Sequence, residues 1–162
     1  MNYRKPNKKA SGAARRGLRS LSVAVAFPLS VTLLDIFLFG WSSIEKPFYF
    51  PPLWALHLAC LSTAFLSGLS AWLVWAEGGF HRQPGALALY LAQLILSLIW
   101  YPVVFGAGAI RVGLVLCVAL FGVLIGCARA FRDMNPIAGD LVKPCLAWPL
   151  LLAVANVRLL YN

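Results

Sequence analysis

The sequence predicts an all-α integral membrane protein, a bundle of five transmembrane helices. Five apolar stretches follow residue 20, at about 21–39, 53–75, 86–105, 112–128 and 137–160. A helix rises ~1.5 Å per residue, so stretches of this length can cross the ~30 Å hydrocarbon core. They lack the alternation of polar and apolar residues that marks barrel strands. Only 12% of the residues are charged, against about 25% in a soluble domain.

The first 20 residues form a basic segment, which we predict to be a disordered cytoplasmic tail ahead of a membrane domain at residues 21–162. The segment contains no acidic residue and seven basic ones, Arg4, Lys5, Lys8, Lys9, Arg15, Arg16 and Arg19. Polybasic segments beside a membrane bind anionic lipid headgroups, so membrane lipids are expected partners. A nucleic-acid partner is not expected, because only Tyr3 offers an aromatic ring for base stacking.

The basic residues of the loops predict the orientation. With five spans, the N-terminus, the loop at 76–85 and the loop at 129–136 share one side, which carries most of the Lys and Arg residues. The positive-inside rule therefore places the N-terminus in the cytoplasm and the C-terminus on the far side.

Signatures of catalysis and of metal binding are missing from the sequence. It contains no GxGxxG, phosphate loop, HExxH or GxSxG motif. The four cysteines fall within apolar stretches without the spacing of metal ligands, so we interpret them as small buried hydrophobic residues. We predict no catalytic residue and no metal site.

Polar residues recur at one depth of the predicted bundle. Asp35, His57, Trp100 and Asn156 each lie about one helical turn inside the far side, ~6–8 Å below the boundary. Polar groups are costly in lipid and usually face a cavity, which predicts a pocket open to the far side. The alternative is that each side chain reaches the headgroups, since one turn is shallow.

The tryptophans and the spanning histidine suggest what such a pocket would bind. Trp100 and Trp148 lie deeper than an interfacial belt, and an aromatic-lined cavity suits a large flat hydrophobic ligand. Helix packing explains Trp148 equally well. Neutral imidazole is a good ligand of haem iron, so His57 is the candidate axial ligand. A hydrogen bond from His57 to a neighbour such as Asp35 is the alternative.

Small residues in the fourth span offer a surface for helix association. Gly122 and Gly126 are four residues apart, which lets two helices approach closely in lipid. The same face could serve a homodimer or pack inside the five-helix bundle.

Several motifs together resemble the translocator protein family, also called the tryptophan-rich sensory or peripheral-type benzodiazepine receptor family. The third helix of that family is similar to LYLAQLILSLIW at Leu89–Trp100, and its fifth helix to KPCLAW at Lys143–Trp148 with Asn156 eight residues on. Lys46-Pro47 through Pro51-Pro52 resembles its first loop, and WAEGGF at Trp75–Phe80 resembles its second. The basic N-terminal segment and these motifs are most similar to the plant branch.

The resemblance implies a five-helix bundle, often dimeric, that binds porphyrins, haem, sterols or synthetic aromatic ligands. Family pocket positions carry over to Trp100, Trp148 and Asn156. Cys60 stands where the family has a helix-two tryptophan, Ser97 where it has a helix-three asparagine, Tyr49 where it has a first-loop tryptophan, and Cys145 where it has the tyrosine of its PYxAW pattern. These replacements count against binding of drug-type ligands.

The functional prediction is a membrane receptor that binds tetrapyrroles, haem or protoporphyrin, or else lipids, for scavenging, transport or stress-linked regulation. Haem or protoporphyrin is a ligand here and not an obligatory cofactor. The alternatives are a porphyrin-degrading membrane enzyme and an adaptor that recruits a partner protein. The plant-type resemblance favours the endoplasmic reticulum or Golgi membrane, with the mitochondrial outer membrane as the alternative.

Overall fold

Five helical segments cross the molecule, as the sequence predicts. The computed structural model describes residues 8–40 and 52–161, with side chains from residue 15 onwards. The segments long and apolar enough to span a membrane are Arg15–Phe39, Leu53–Ala76, Pro84–Gly106, Ile110–Met134 and Pro136–Leu160. The predicted all-α, five-span membrane fold is therefore confirmed.

The first helix, α1 (Lys8–Phe39), is longer than a membrane span. Its 32 residues extend ~48 Å at ~1.5 Å per residue, against a hydrocarbon core of ~30 Å. The helix thus includes most of the basic segment that the sequence assigns to a tail, in unbroken continuation of the first span. The division into a tail at 1–20 and a membrane domain at 21–162 stays a prediction.

The second helix, α2 (Leu53–Ala76), packs closely against α1 at Gly68. A Cβ atom placed on Gly68 would lie 2.8 Å from the carbonyl oxygen of Ala24 and 3.0 Å from Cγ of Pro28. Only a residue without a side chain allows this approach. Pro28 lies inside α1 and is buried against α2 at this point.

Between α2 and the third span lies a short helix, α3 (Gly79–Arg82). Gly78 turns the chain into it with φ of 69°, a left-handed conformation that glycine adopts without strain. The third span, α4 (Pro84–Tyr101), begins with Pro84, whose missing N–H is not needed in a first helical turn. It ends in a π-helical turn at Pro102–Gly106, closed by the bond from Ala107 N to Pro102 O at 2.8 Å.

The last two spans differ in regularity. The fourth is the continuous helix α5 (Ile110–Met134). The fifth, predicted as one helix, consists of α6 (Pro136–Val142), a 3₁₀ turn (Pro144–Leu146) and α7 (Ala147–Leu160). Pro144 has no N–H to continue the bonding of α6, which explains the interruption.

The spans form a ring with one weakly packed seam. α1 packs on α2, α2 on α6, and α5 on α4, α6 and α7, whereas α1 and α4 share far fewer contacts. The start of α1, α3 and the turn at Asn135 lie at one end of the bundle, which we call the basic end. Basic residues described there include Arg15, Arg16, Arg19, Arg82, Arg129 and Arg132.

Asn135 joins two connections at the basic end. Its Oδ1 accepts hydrogen bonds from the backbone N–H groups of Ile137 (2.9 Å) and Ala138 (3.1 Å), and so caps α6. Its Nδ2 donates to Glu77 Oε1 at 2.6 Å. One side chain thus ties the start of the fifth span to the end of α2.

We therefore expect Asn135→Ala to destabilise the protein by about 1–3 kcal/mol, since it removes a helix cap and a hydrogen bond to a charged group. Thermal unfolding in detergent, followed by circular dichroism, measures the change. Asn135→Ser is the control, because it keeps a capping oxygen but lacks the amide nitrogen that reaches Glu77. Its unfolding midpoint should fall between those of the wild type and the alanine variant. An alanine variant as stable as the wild type would contradict the role of Asn135.

Candidate functional site

A cavity of about 170 Å³ lies in the middle of the bundle, on the seam between α1 and α4. Three of the sequence-predicted binding residues line it together: Cys60 from α2, Ser97 from α4 and Trp148 from α7. The other lining residues come from the same helices and from α1, and they include Phe27, Pro28, Thr32, Thr63, Ser67 and Gln93. We call this space the central cavity.

Two of the hydroxyl groups around the central cavity are bonded to their own helix. Thr63 Oγ1 donates to the carbonyl oxygen of Ala59 at 2.9 Å, and Ser67 Oγ donates to that of Ala64 at 3.1 Å. Hydroxyl groups bonded back to the helix leave mainly carbon and sulfur atoms to face a ligand. The central cavity therefore offers dispersion contacts and removal of apolar surface from water, with the indole of Trp148 as its largest ring.

The central cavity opens sideways through the weakly packed seam. Phe27 of α1 and Ile95 of α4 both line it, and their side chains are 61% and 56% exposed on the outer surface of the bundle. That surface is the one expected to face lipid. The cavity is smaller than the ~300–1,000 Å³ of typical small-molecule sites. A ligand of drug size would therefore have to widen it, and the α1–α4 seam offers the least packing to disrupt.

Trp100 does not line the central cavity but lies in an aromatic cluster of the core. Its ring centroid is 5.2 Å from that of Tyr101 and 5.4 Å from that of Phe105, both in edge-to-face geometry. Only 1% of Trp100 is exposed. His57 contacts this cluster, with its ring centroid 6.1 Å from that of Tyr101.

His57 is also close to the end of α1. A Cβ atom placed on Gly40 would lie 2.8 Å from His57 Nε2. His57 is one turn from Cys60 on α2 but is not among the residues that line the central cavity. The predicted haem ligand thus lies between the core aromatic cluster and Gly40.

Asn156 lies at the contact between α7 and α5. Its Nδ2 donates to the carbonyl oxygen of Leu152 (3.0 Å) and contacts the sulfur of Cys117 (3.4 Å). Its Oδ1 is buried and has no hydrogen-bond partner within the described part of the chain. A Cβ atom on Gly113 would lie 2.6 Å from that oxygen, so the two helices meet closely here.

The remaining predicted residues are placed as follows. Tyr49 lies outside the described residues. Asp35 is buried on α1, one turn from Thr32 of the central cavity. The structure therefore brings Cys60, Ser97 and Trp148 into one cavity. It places Trp100 and Asn156 elsewhere in the core, and His57 is half-buried beside the aromatic cluster.

Sequence reasoning missed Gln93. This side chain is only 2% exposed and lines the central cavity, and a glutamine inside an apolar span could have been noticed as a polar residue at mid-membrane depth. Among the residues that the structure describes, no three His, Cys, Asp or Glu side chains are grouped so that they could hold a metal ion.

The chain is similar in sequence to known membrane proteins over most of its length. The TspO/MBR family matches residues 21–162. A translocator protein homolog of Arabidopsis thaliana is 48% identical over 151 residues, which cover 90% of this chain and 77% of the relative. The translocator protein of Ovis aries is 34% identical, covering 75% and 73%. The tryptophan-rich sensory protein of Cereibacter sphaeroides is 32% identical, covering 67% and 66%. The chain belongs to the TspO/MBR family of integral membrane proteins.

Proposed function

We propose that the protein is a non-enzymatic receptor for tetrapyrroles, haem or protoporphyrin, and that the central cavity is the inner part of the binding site. The observation that supports this most is the convergence of Cys60, Ser97 and Trp148 from three helices on one apolar cavity. The names of its relatives, translocator protein and tryptophan-rich sensory protein, fit a role in transport or sensing.

The binding mode follows from the lining and the seam. A flat macrocycle would lie against the indole of Trp148 and would separate α1 from α4 at Phe27. Its apolar body would leave the lipid or water for a cavity lined mainly by apolar side chains, so hydrophobic burial and aromatic contact would supply most of the affinity. A sterol or another flat lipid would compete for the same surface.

We further propose an intracellular organelle membrane as the location, with the endoplasmic reticulum or Golgi favoured over the mitochondrial outer membrane. The support is the identity to the Arabidopsis relative and the basic N-terminal segment. Microscopy of the full chain with a C-terminal tag, beside markers of these three membranes, tests the assignment.

Trp148→Ala should weaken protoporphyrin binding by more than ~1 kcal/mol, through loss of aromatic contact. Absorbance titration of the purified protein in detergent measures the affinity, and Trp148→Phe should lose less because it keeps a ring. Trp54→Ala is the matched control, since Trp54 is 70% exposed on α2 and does not line the central cavity. Unchanged affinity in a folded Trp148→Ala variant would reject the site.

The same titration distinguishes a receptor from an enzyme. Protoporphyrin is incubated with the protein in the dark and in light, beside a protein-free control. A receptor leaves the pigment intact, whereas a new absorbing product that requires the protein would favour the porphyrin-degrading alternative.

His57→Ala should weaken haem binding and shift the Soret band while leaving protoporphyrin binding nearly unchanged. The reason is that imidazole binds iron, which protoporphyrin lacks. His81→Ala is the control, because His81 lies in α3 at the basic end. If the Soret band of the His57→Ala variant is the same as that of the wild type, His57 does not coordinate the iron. If His57→Ala instead loses equal affinity for haem and for protoporphyrin, His57 has a packing role beside Tyr101.

We also propose a homodimer through the outer face of α5. A Cβ atom on Gly122 would meet no described atom within 4 Å, so this glycine faces outward, with Ala119 exposed beside it. Gly126 faces inward, since a Cβ there would lie 3.4 Å from Leu89 of α4. The two glycines therefore belong to different contacts, and the sequence motif alone did not distinguish them.

Gly122→Leu should convert a detergent-solubilised dimer to monomer without affecting protoporphyrin binding, because close helix approach through small residues would be lost. Light scattering coupled to size-exclusion chromatography reports the mass. Gly126→Leu is the comparison, and it should reduce thermal stability through its contact with Leu89. A folded Gly122→Leu variant that remains dimeric would remove this face from the interface.

A further inference from the structure

A second concave site lies at the basic end of the bundle, separate from the central cavity. It has a volume of about 750 Å³ and lies between α1, α2, α3 and α4. We call it the basic-end groove. Side chains of all four helices line it, among them Arg19 and Phe27 of α1, Trp72 of α2, His81 of α3 and Tyr90 of α4.

One end of the basic-end groove is polar. Arg19 from α1 and His81 from α3 line it, and the indole Nε1 of Trp72 donates to Ser20 Oγ at 3.1 Å. Arg19 carries a permanent positive charge, since guanidinium remains protonated at any physiological pH. Among the described residues, neither Asp nor Glu lines the groove. The charge of this end therefore suits a group with a single negative charge.

The remainder of the basic-end groove is apolar and faces the lipid. Val23, Phe27 and Leu87 line it and are 68%, 61% and 38% exposed. The buried side chains of Ala71 and Tyr90 form its floor. An occupant would therefore need an apolar body that lies along α1 and α4, below a polar head at the end of the bundle.

Contacts between the helices hold the walls of the groove in place. The ring of Phe80 in α3 packs edge-to-face on Phe131 of α5 at a centroid distance of 6.0 Å. Gly79 is in close contact with Val74 and Met134. The Ser20–Trp72 bond joins α1 to α2. A site whose walls are fixed in advance loses less conformational entropy when it binds.

We infer that the basic-end groove binds one phospholipid with a singly charged anionic headgroup from the adjacent leaflet. Its phosphate lies at Arg19 and His81, and an acyl chain packs along Val23, Phe27 and Leu87. The orientation predicted from the loops makes this leaflet cytoplasmic, and cytoplasmic leaflets contain anionic lipids. The inference does not depend on tetrapyrrole binding, because Phe27 is the only lining residue that the central cavity and the groove share within the described part of the chain.

The test uses the purified full chain in a neutral detergent and native mass spectrometry. It is titrated with phosphatidylglycerol and, separately, with phosphatidylcholine of identical acyl chains. We expect one phosphatidylglycerol to be retained per chain, about fivefold more tightly than phosphatidylcholine, from ~1 kcal/mol for one basic residue near the membrane surface. Equal retention of the two lipids would overturn the inference.

Three variants test whether the lipid headgroup is bound in the groove. Arg19→Gln should abolish the preference for phosphatidylglycerol, and Val23→Trp, which fills the apolar part, should lower retention of both lipids. Arg82→Gln is the matched control, because Arg82 is exposed beside His81 but does not line the groove. If Arg82→Gln has the same effect as Arg19→Gln, the protein merely attracts anions to a basic surface, and the inference is wrong.

Two competitors identify the ligand class. Glycerol phosphate, which has no acyl chain, should not displace phosphatidylglycerol, and displacement would indicate an anion site without lipid recognition. Protoporphyrin should not displace it from the Trp148→Ala variant. Displacement there would assign the groove to a carboxylated macrocycle and would reject the lipid.

Discussion

The fold depends on the requirement that backbone polar groups in a membrane find partners within the protein, because hydrocarbon supplies none. The irregular parts of this chain meet that requirement. At the end of α4, Pro102 interrupts regular bonding, and a π-helical turn follows with Ala107 N bonded to Pro102 O. At Pro144 the bond from Leu146 N to Lys143 O closes a 3₁₀ turn. The interrupted fifth span is tolerated because it is packed against α2 and α5.

The few polar side chains inside the bundle then decide how the helices fit together. Ser70 of α2 donates to the carbonyl oxygen of Ala138 in α6 at 2.7 Å, and so fixes the pair at one height. Thr63 and Ser67 instead bond back to their own helix and leave the central cavity apolar. Some polar side chains thus join two helices, whereas others form hydrogen bonds within their own helix beside the central cavity.

The sequence was sufficient for the number of spans, and three residues that it singled out, Cys60, Ser97 and Trp148, line one cavity. Long apolar stretches predict spans because the cost of polar groups in lipid is large. Because of the basic charges ahead of Leu21, the first span was predicted to begin there, whereas α1 begins at Lys8. A Lys-, Arg- and Ala-rich segment that is excluded from lipid can still be helical. Depth from the membrane surface grouped Asp35, His57, Trp100 and Asn156. Depth fixes the height of a residue but not the direction in which its side chain leaves the helix, and none of these four side chains lines the central cavity.

Phe27 forms part of the wall of both the central cavity and the basic-end groove. If the occupant of one compartment moves Phe27, the two proposed occupancies are thermodynamically linked. If a molecule in one compartment changes the affinity of the other by some factor, the second molecule changes the affinity of the first by the same factor. The composition of the surrounding membrane would then act as an effector, and a ligand that fills the bundle would change which lipids the protein gathers around itself.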